Sequence, residues 1–514
     1  MCSPARSIVL QSRTHLVPAK GTEPVAALSE VKPLVERDWR MIIDGGPVRG
    51  DGDVLDVVNP ATGEVLTRIP AGTAHDVDRA VAAAKKAFRA WRGTPAAERG
   101  RLVGLLADAI AEHGEELARI DALDYGSPLR MLRNDVRIAV QQLRYFAGLA
   151  LELRGQSIPA RGGVDFTVLE PFGVVGRIVA FNHPLMFAAT KLAAPLVAGN
   201  TIVLKPSEHT SLSALRIGEL CAEIFPPGVV NVVTGLGATV GVRLTSHPDV
   251  PRVAFIGSVE TGLRIQRQAA AEQVKTVTLE LGGKNPLIVF PDADLEGAVA
   301  GAVHGMNFTW QGQSCGSTSR AYVHRSVWTD FLTRVSAAIT GLTVGDPLDD
   351  ATDVGAIVSR VQFEKIGRYV DAGLTDHRAK LVVGATRRDE SGLFVTPTVF
   401  AFEGGECDSP VLNEEIFGPV LSVVPFDDYD EVISRANALS FGLTASVWTS
   451  SLGTALRATR DLEAGYVWVN ASSNHIPGAP YGGVKNSGVG REEGLEELYS
   501  YAQQKNIYIR LEGE

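Results

Sequence analysis

The clearest pattern in this 514-residue chain lies between Gly173 and Gly283, where short apolar runs alternate with longer amphipathic ones. Runs rich in β-branched residues occupy 174–181, 201–204, 229–233, 252–256 and 276–279. Helix-compatible segments separate them at 185–198, 211–224, 238–246 and 262–271. Runs without polar alternation suit strands buried on both faces, and such strands alternating with helices build a parallel, doubly wound sheet. The polar punctuation falls after the strands: Asn182 after the first, Lys205 and Glu208 after the second, Gly235 and Gly237 after the third. Gly257 and Ser258 follow the fourth, and Glu280, Gly282 and Gly283 end the fifth. Ligands of open α/β sheets bind outside the carboxyl ends of the strands, so these positions outline one crevice of the kind that holds a nucleotide.

The same reading orders the rest of the chain. Val77, Val81, Ala84, Phe88 and Trp91 recur at helical spacing, and Thr73 with Asp76 forms a capping-box start. A second helix is expected from about Pro95, with Thr94 as its cap. Past Asn285 a second α/β region carries Cys315 and runs on to Gly483. Segments 153–170 and 500–511 read as strands outside both regions, of the kind that pair between subunits. The expected division is therefore a flexible extension over 1–38 and a dinucleotide-binding domain from 39–152 and 172–283. A catalytic domain over 284–488 follows, with oligomerisation strands at 153–171 and 500–514. Residues 1–22 carry Arg6, Arg13 and Lys20 and no acid, but lack the amphipathic pattern of a transit peptide.

Composition narrows the partners. A chain this long exceeds one hydrophobic core, which implies two or three domains. With 45% hydrophobic and 21% charged residues it reads as an ordinary globular protein. A net charge of −10 argues against nucleic acid or an anionic membrane as the main partner. No apolar run reaches the length of a membrane span. Four cysteines without a CxxC pair suggest a reducing compartment, the cytoplasm. The ten histidines show no HExxH pattern, so no metal is expected.

The candidate chemistry centres on Cys315, in a loop of small and polar residues (Gln311, Gly312, Gln313, Ser314, Gly316), and on Glu280 at a strand end. A thiolate attacks carbonyls well, and a desolvated carboxylate can take a proton from water. Each has a plainer reading, as a buried structural thiol and an end-of-strand acid. Residues 312–316 also match the GxSxG elbow of serine hydrolases. That elbow needs a strand before it and a helix after it, and neither flank fits, so Ser314 is set aside. The glycines at 235, 237 and 241 are spaced one residue too widely for GxGxxG and suit an ordinary strand–helix turn equally well. Lys205 and Glu208 could be a solvated pair, and Asn182 a helix cap before Pro184.

Taken together, the motifs resemble the aldehyde dehydrogenase superfamily over nearly the whole chain, from about Met41 to Ile509. The resemblance rests on ordered segments: Phe181-Asn182-His183-Pro184 with Lys191, Leu204-Lys205-Pro206-Ser207-Glu208, Phe255-Ile256-Gly257-Ser258 and Leu279-Glu280-Leu281-Gly282-Gly283-Lys284. Gly312-Gln313-Ser314-Cys315, Glu415-Ile416-Phe417-Gly418-Pro419, Pro480-Tyr481-Gly482-Gly483 and 487–492 complete it. The resemblance implies a Rossmann-type parallel-sheet cofactor domain, an α/β catalytic domain and a small β oligomerisation element. It implies Cys315 as nucleophile, Glu280 as general base, Asn182 as oxyanion donor, and Lys191 and Glu492 as a supporting network. It places Lys205 and Glu208 at a cofactor ribose, Ser258 at the pyrophosphate, and Glu415 and Phe417 beside the nicotinamide ribose. Ser207, Gly241, Gly257, Leu281 and Gly282 are expected along the same cofactor path. The cofactor implied is NAD, since Glu208 would repel the phosphate of NADP, although related motifs occur in members that accept both. Phe187, Trp310 and Tyr481 are expected to wall the substrate tunnel.

The departures concern the substrate. His183 stands where Phe is commoner, and Thr190 precedes Lys191 where relatives acting on acidic semialdehydes carry Arg. Without that cation a carboxylate-bearing substrate has one clamp fewer. The expectation is a neutral apolar or aromatic aldehyde, with a cationic, betaine-like aldehyde as the alternative. The protein is expected to be a homodimer or homotetramer. Two rival readings of the chain remain: a CoA-acylating relative, and a non-catalytic binding member of the fold.

Overall fold

The computed structural model describes residues 33–390, 392–405 and 407–511. The question of a transit-peptide character for residues 1–22 lies outside them. Part of the segment expected to be flexible is packed. Val35 is buried, the Trp39 indole donates to its carbonyl, and Arg37 pairs with Glu219.

The five apolar runs form adjacent strands of one sheet, in the spatial order Val230–Val232, Thr201–Lys205, Val174–Ile178, Arg252–Ile256 and Thr276–Glu280, all parallel. Met41–Ile43 and Gly46–Val48 extend one edge, and Gly488–Val489 returns from the far end of the chain to pair antiparallel with Thr276–Glu280. The three central strands are buried along their whole length, as uninterrupted apolar runs require. In register Ile178 faces Lys205 and Ile256 faces Glu280, so the polar residues that follow gather at one edge. The first strand ends at Ile178 rather than at Phe181, because the chain turns there towards the crevice.

Helices cover both faces. Thr73 and Asp76 form the expected capping box of Ala74–Trp91. In Ala96–Glu112 the cap position falls to Pro95, not Thr94, and no side chain caps it. The helix Pro184–Ala198 has only one residue that is not buried and ends on Gly199 in the left-handed conformation. Its first turn is capped from outside. Asp121 accepts from the Leu185 N–H at 2.8 Å, and Asp124 does the same for Leu212 at 3.1 Å. Both acids come from the helix Gly114–Asp124, which thereby fixes the starts of two helices at once. The stretch 238–246 is a π-type turn, Gly237–Gly241, followed by the short helix Val242–Ser246.

The second region is a seven-stranded sheet centred on Arg320–His324 and Pro286–Val289, parallel except for its edge strand Lys380–Val383. Ser157–Ile158, Gly163–Pro171 and Ala502–Arg510 form a separate three-stranded antiparallel sheet, in which nine consecutive positions pair between the last two strands. Its outer positions Val164, Tyr508 and Ile509 are about half exposed. Ser500 belongs to the preceding helix, so the tail strand starts at Ala502. Among the described residues no helix is long and apolar enough to cross a membrane, and no cluster of His, Cys, Asp and Glu could hold a metal.

Candidate active site

Most of the strand-end residues open onto one cavity of about 550 Å³, although Gly235 and Gly283 do not line it. Of the positions singled out in the sequence, Asn182, Lys205, Ser207, Glu208, Gly241, Gly257, Ser258, Glu280, Gly282, Cys315, Glu415 and Phe417 line it. Leu281 does not. Its side chain packs in the core beside Gly262, and its N–H donates to the Ser487 carbonyl, because alternation along the chain turns it away from the cavity that Glu280 and Gly282 face. Lys191 and Glu492 sit behind the wall, and Phe187, Trp310 and Tyr481 belong to two groups of aromatic rings described below.

One residue ties the two regions together at the reacting end. Asn285 follows Glu280 by five positions, and its amide donates to the carbonyls of Cys315 at 2.8 Å and Ser317 at 2.9 Å. Its carbonyl accepts from the Thr444 N–H. The segment that leaves the first sheet at Glu280 thus holds the loop that carries Cys315. Asn307 and Gln311 in that loop, and Phe417 across the cavity, have φ of 55°. Non-glycine residues hold this conformation only where their surroundings enforce it. Phe417 is held by the Gln362 amide, which donates to its carbonyl at 2.7 Å, and by an edge-to-face contact with Phe181.

The ionisable groups divide sharply. Glu492 is buried between Arg177 and Lys191, with Lys191 Nζ at 2.8 Å. Burial alone would raise its pKa, but the two cations prevail and hold it down to about 2. Burial likewise disfavours the charge on Lys191, and Glu492 outweighs that and raises its pKa. Glu280 is the opposite case. Neither of its oxygens finds a hydrogen-bond partner among the described residues, and burial, then the nearby Glu492, pushes its pKa well up. Burial also raises the Cys315 thiol to about 12, against the Tyr481 hydroxyl at 3.8 Å, which favours ionisation. The Asn182 Nδ2 is buried and unpartnered as well. The residue in the cap position of Pro184–Ala198 is His183, so Asn182 is free of the capping role open to it on sequence grounds. An unpaired donor, an unpaired carboxyl and a thiol on one cavity are costly to the fold and mark it as a candidate reactive site.

Breaking the Glu492 cluster is expected to be destabilising. Glu492→Ala leaves two buried cations without their anion, a change that costs about 3–5 kcal/mol in comparable pairs. Urea unfolding should show it as a lower midpoint, and an unchanged midpoint would refute the pairing.

At the other end of the cavity Lys205 Nζ lies 3.1 Å from Glu208. Burial and then Lys205 act on Glu208 in opposite senses, and the lysine wins, keeping the carboxylate ionised. Ser258 caps the helix Val259–Ala269, and both Ser258 and Thr261 of its first turn line the cavity, so this helix starts at the cavity wall, an arrangement suited to a phosphate. Gly282 leaves no room for a side chain, since a Cβ there would lie 2.0 Å from the Glu415 carboxylate. These donors, acceptors and dimensions fit a dinucleotide.

Several lining residues escaped the sequence reading. Thr261, Arg264 and Gln268 line the cavity from one face of the helix behind Ser258, and their spacing of three and four was a legible signal. Gln362 and Lys365 also line it but come from a helix far along the chain. Arg177 had a signal too: a lone cation inside a strand buried on both faces needs an anion nearby.

Aromatic rings gather beside both reactive groups. Next to Asn182, His183 packs against Trp310 at 4.5 Å and Phe187 at 5.5 Å, with its Nδ1 3.0 Å from buried Asp135. Next to Cys315, Tyr481 packs against His475 at 4.7 Å and Tyr466 at 5.9 Å. His475 Nδ1 is 3.1 Å from Glu493.

Two parallel sheets and a nucleotide-sized cavity bearing a cysteine, an amide and a carboxyl define a class of α/β protein with a dinucleotide cleft. The chain belongs to the aldehyde dehydrogenase family, whose model matches residues 48–507. It is 43% identical over 470 residues to aldehyde dehydrogenase tropH of Talaromyces stipitatus, covering 89% of this chain and 90% of that one. A Bacillus cereus aldehyde dehydrogenase solved as an NAD+ complex superposes with a TM-score of 0.91 at 40% identity, covering 94% of this chain and 99% of the other. A betaine aldehyde dehydrogenase from Staphylococcus aureus in complex with NAD+ does so at 0.91 and 36% identity, covering 95% and 98%.

Proposed function

We propose that this protein oxidises a neutral apolar or aromatic aldehyde to its carboxylic acid with NAD as oxidant. The observation that carries the reading is the convergence of Cys315, Asn182 and Glu280 on one cavity, the last two with unsatisfied polar atoms. Cys315 adds to the aldehyde carbon and gives a thiohemiacetal. The Asn182 amide stabilises the oxyanion, a contribution of about 3 kcal/mol for one such donor. NAD held along Lys205, Glu208 and Ser258 would supply the hydride acceptor, so that the thiohemiacetal carbon is oxidised and a thioester remains on Cys315. Glu280 then takes a proton from water, the water oxygen adds to the thioester carbon, and the acid leaves as the thiolate departs. Lys205 and Glu208 hold the ribose, and the ionised Glu208 repels an added phosphate, which favours NAD over NADP.

The rings around His183 and Tyr481 support an apolar or aromatic substrate. A cationic aldehyde is the second reading, supported by the likeness to a betaine aldehyde dehydrogenase and by the attraction of a cation to aromatic faces. Retention of Glu280 supports transfer of the acyl group to water rather than to CoA. We also infer a homodimer or homotetramer, supported by the separate three-stranded sheet with half-exposed apolar positions, and a reducing, cytoplasmic setting, supported by free Cys221 and Cys315. NADH formation from aliphatic, aromatic, cationic and acidic aldehydes tests the substrate. Aromatic or apolar aldehydes should exceed acidic ones by about tenfold or more in kcat/KM, the worth of one lost ionic clamp. A preference for acidic aldehydes, for NADP, or a strict need for CoA would overturn the corresponding part.

A further inference from the structure

Tyr481 was expected only as a tunnel wall, yet its hydroxyl is the group nearest to hydrogen bonding with the reactive sulfur. Cys315 Sγ lies 3.8 Å from it, within the reach of a hydrogen bond to sulfur. No other side chain or backbone group among the described residues bonds that hydroxyl, and Tyr481 is buried to 6% exposure. A buried phenol needs a partner, and here the partner is the thiol.

Three features hold the hydroxyl in place. The Tyr481 backbone exchanges both hydrogen bonds with Glu492, at 2.8 and 2.7 Å, which anchors it to the buried Arg177–Glu492–Lys191 cluster. Its ring is clamped by His475 and Tyr466. Gly316 supplies the room, since a Cβ at that position would lie 3.2 Å from the hydroxyl oxygen.

We propose that Tyr481 is a further catalytic residue, whose hydroxyl donates a hydrogen bond to the Cys315 thiolate and so sets the fraction of nucleophile that is ionised. The proposal rests on the reading of Cys315 as nucleophile. With a thiol either atom can donate; with a thiolate only the phenol can, so the contact stabilises the ionised form selectively. Burial, and then the thiol and the carboxyls of Glu280 and Glu493, push the phenol pKa far up, so it keeps its proton. The other groups acting on the sulfur are Glu280 and Glu415, which both disfavour the thiolate, and the Gly316 N–H, which favours it. Tyr481 is therefore the one side chain identified there that assists ionisation. No redox step is involved; the proton leaves to solvent and returns when the acid departs.

The test compares full-length protein and its Tyr481→Phe variant by the rate of iodoacetamide alkylation at each cysteine, read by peptide mass spectrometry between pH 7 and 9. Loss of one charge-assisted hydrogen bond is expected to slow alkylation of Cys315 about tenfold, equivalent to a pKa rise of about one unit. Raising the pH by about one unit should restore the rate. Phenylalanine is the smaller residue, so reduced access cannot produce the loss. An unchanged Cys315 rate, or a loss that pH does not restore, overturns the proposal and leaves Tyr481 as a wall affecting only KM. If Cys315 alkylates freely yet Cys315→Ala retains turnover, it is the nucleophile reading that fails. Should Tyr481→Phe not fold, Gly316→Ala, which crowds the hydroxyl away from the sulfur, should produce the same pH-reversible loss, and its absence would equally reject the proposal.

Discussion

Replacing Cys315 with alanine is expected to abolish aldehyde oxidation while leaving the fold and cofactor binding intact. Removing a covalent nucleophile typically costs 10⁴-fold or more in kcat, because what remains is only binding and oxyanion stabilisation. The fold should tolerate the change. Cys315 is only half-buried, its loop is held through backbone carbonyls by Asn285, and alanine removes one sulfur and no backbone contact. The far end of the cavity, at Lys205, Glu208 and Ser258, where the cofactor is proposed to bind, is untouched. Quenching of protein fluorescence by NAD should therefore titrate as in the unsubstituted protein, while NADH formation from the best aldehyde falls to background. Turnover above about one hundredth of normal would reject Cys315 as the nucleophile, since no mechanism that needs the thiol survives its removal.

Glu280→Gln is expected to separate the two halves of the reaction. Acylation of Cys315 consumes no water, so one equivalent of NADH should still form in a burst. Hydrolysis of the thioester needs a base, and its steady rate should fall about 10²–10⁴-fold. The acyl-enzyme should then be visible as added mass on the peptide carrying Cys315. The pH dependence follows from the direction of the shift. Burial, and then Glu492, raise the Glu280 pKa above its ordinary 4.5, and only the ionised carboxylate can accept a proton. Steady turnover of the unsubstituted protein should therefore fall as pH drops through that raised pKa, giving an acid limb above the usual carboxylate range. In Glu280→Gln this limb should vanish from the residual rate. Normal steady turnover in the variant would show that another group activates the water.

The pairing of these groups explains why the surrounding network is built as it is. Arg177 and Lys191 hold Glu492 ionised in the wall behind Glu280, and this fixed anion helps to keep the Glu280 pKa high. The same Glu492 backbone anchors Tyr481 against the sulfur. A single acidic residue thus acts by its side chain on the expected base and by its main chain on the expected nucleophile. That coupling is invisible to a comparison of motifs, because the glutamate and the tyrosine lie on two separate segments of sequence pattern.

Much of the architecture was legible in the chain because burial on both faces leaves strands with no polar alternation. The five runs from Val174 to Glu280 declare a parallel sheet, and the polar residues after each strand declare its binding edge. The capping box at Thr73 and Asp76 was equally local. What differed were details of local placement and features set by neighbours distant in sequence. Thr94 yielded its cap position to Pro95, Leu281 turned into the core, and the starts of two helices were capped by Asp121 and Asp124 from another helix. Sequence by itself determined the raw material of the strand order, which depends on periodicity within short windows, and its ordered motifs carried the resemblance to the family and supplied the residue types available for chemistry. Only the tertiary structure decided which of those residues share one cavity, that Asn182 and Glu280 stand without partners, and that Tyr481 reaches Cys315. The physical reason is that pKa values and hydrogen bonds depend on separations of a few ångströms and on desolvation. Those are created when segments far apart in the chain are packed together, as Arg177 and Glu492 are across a separation of 315.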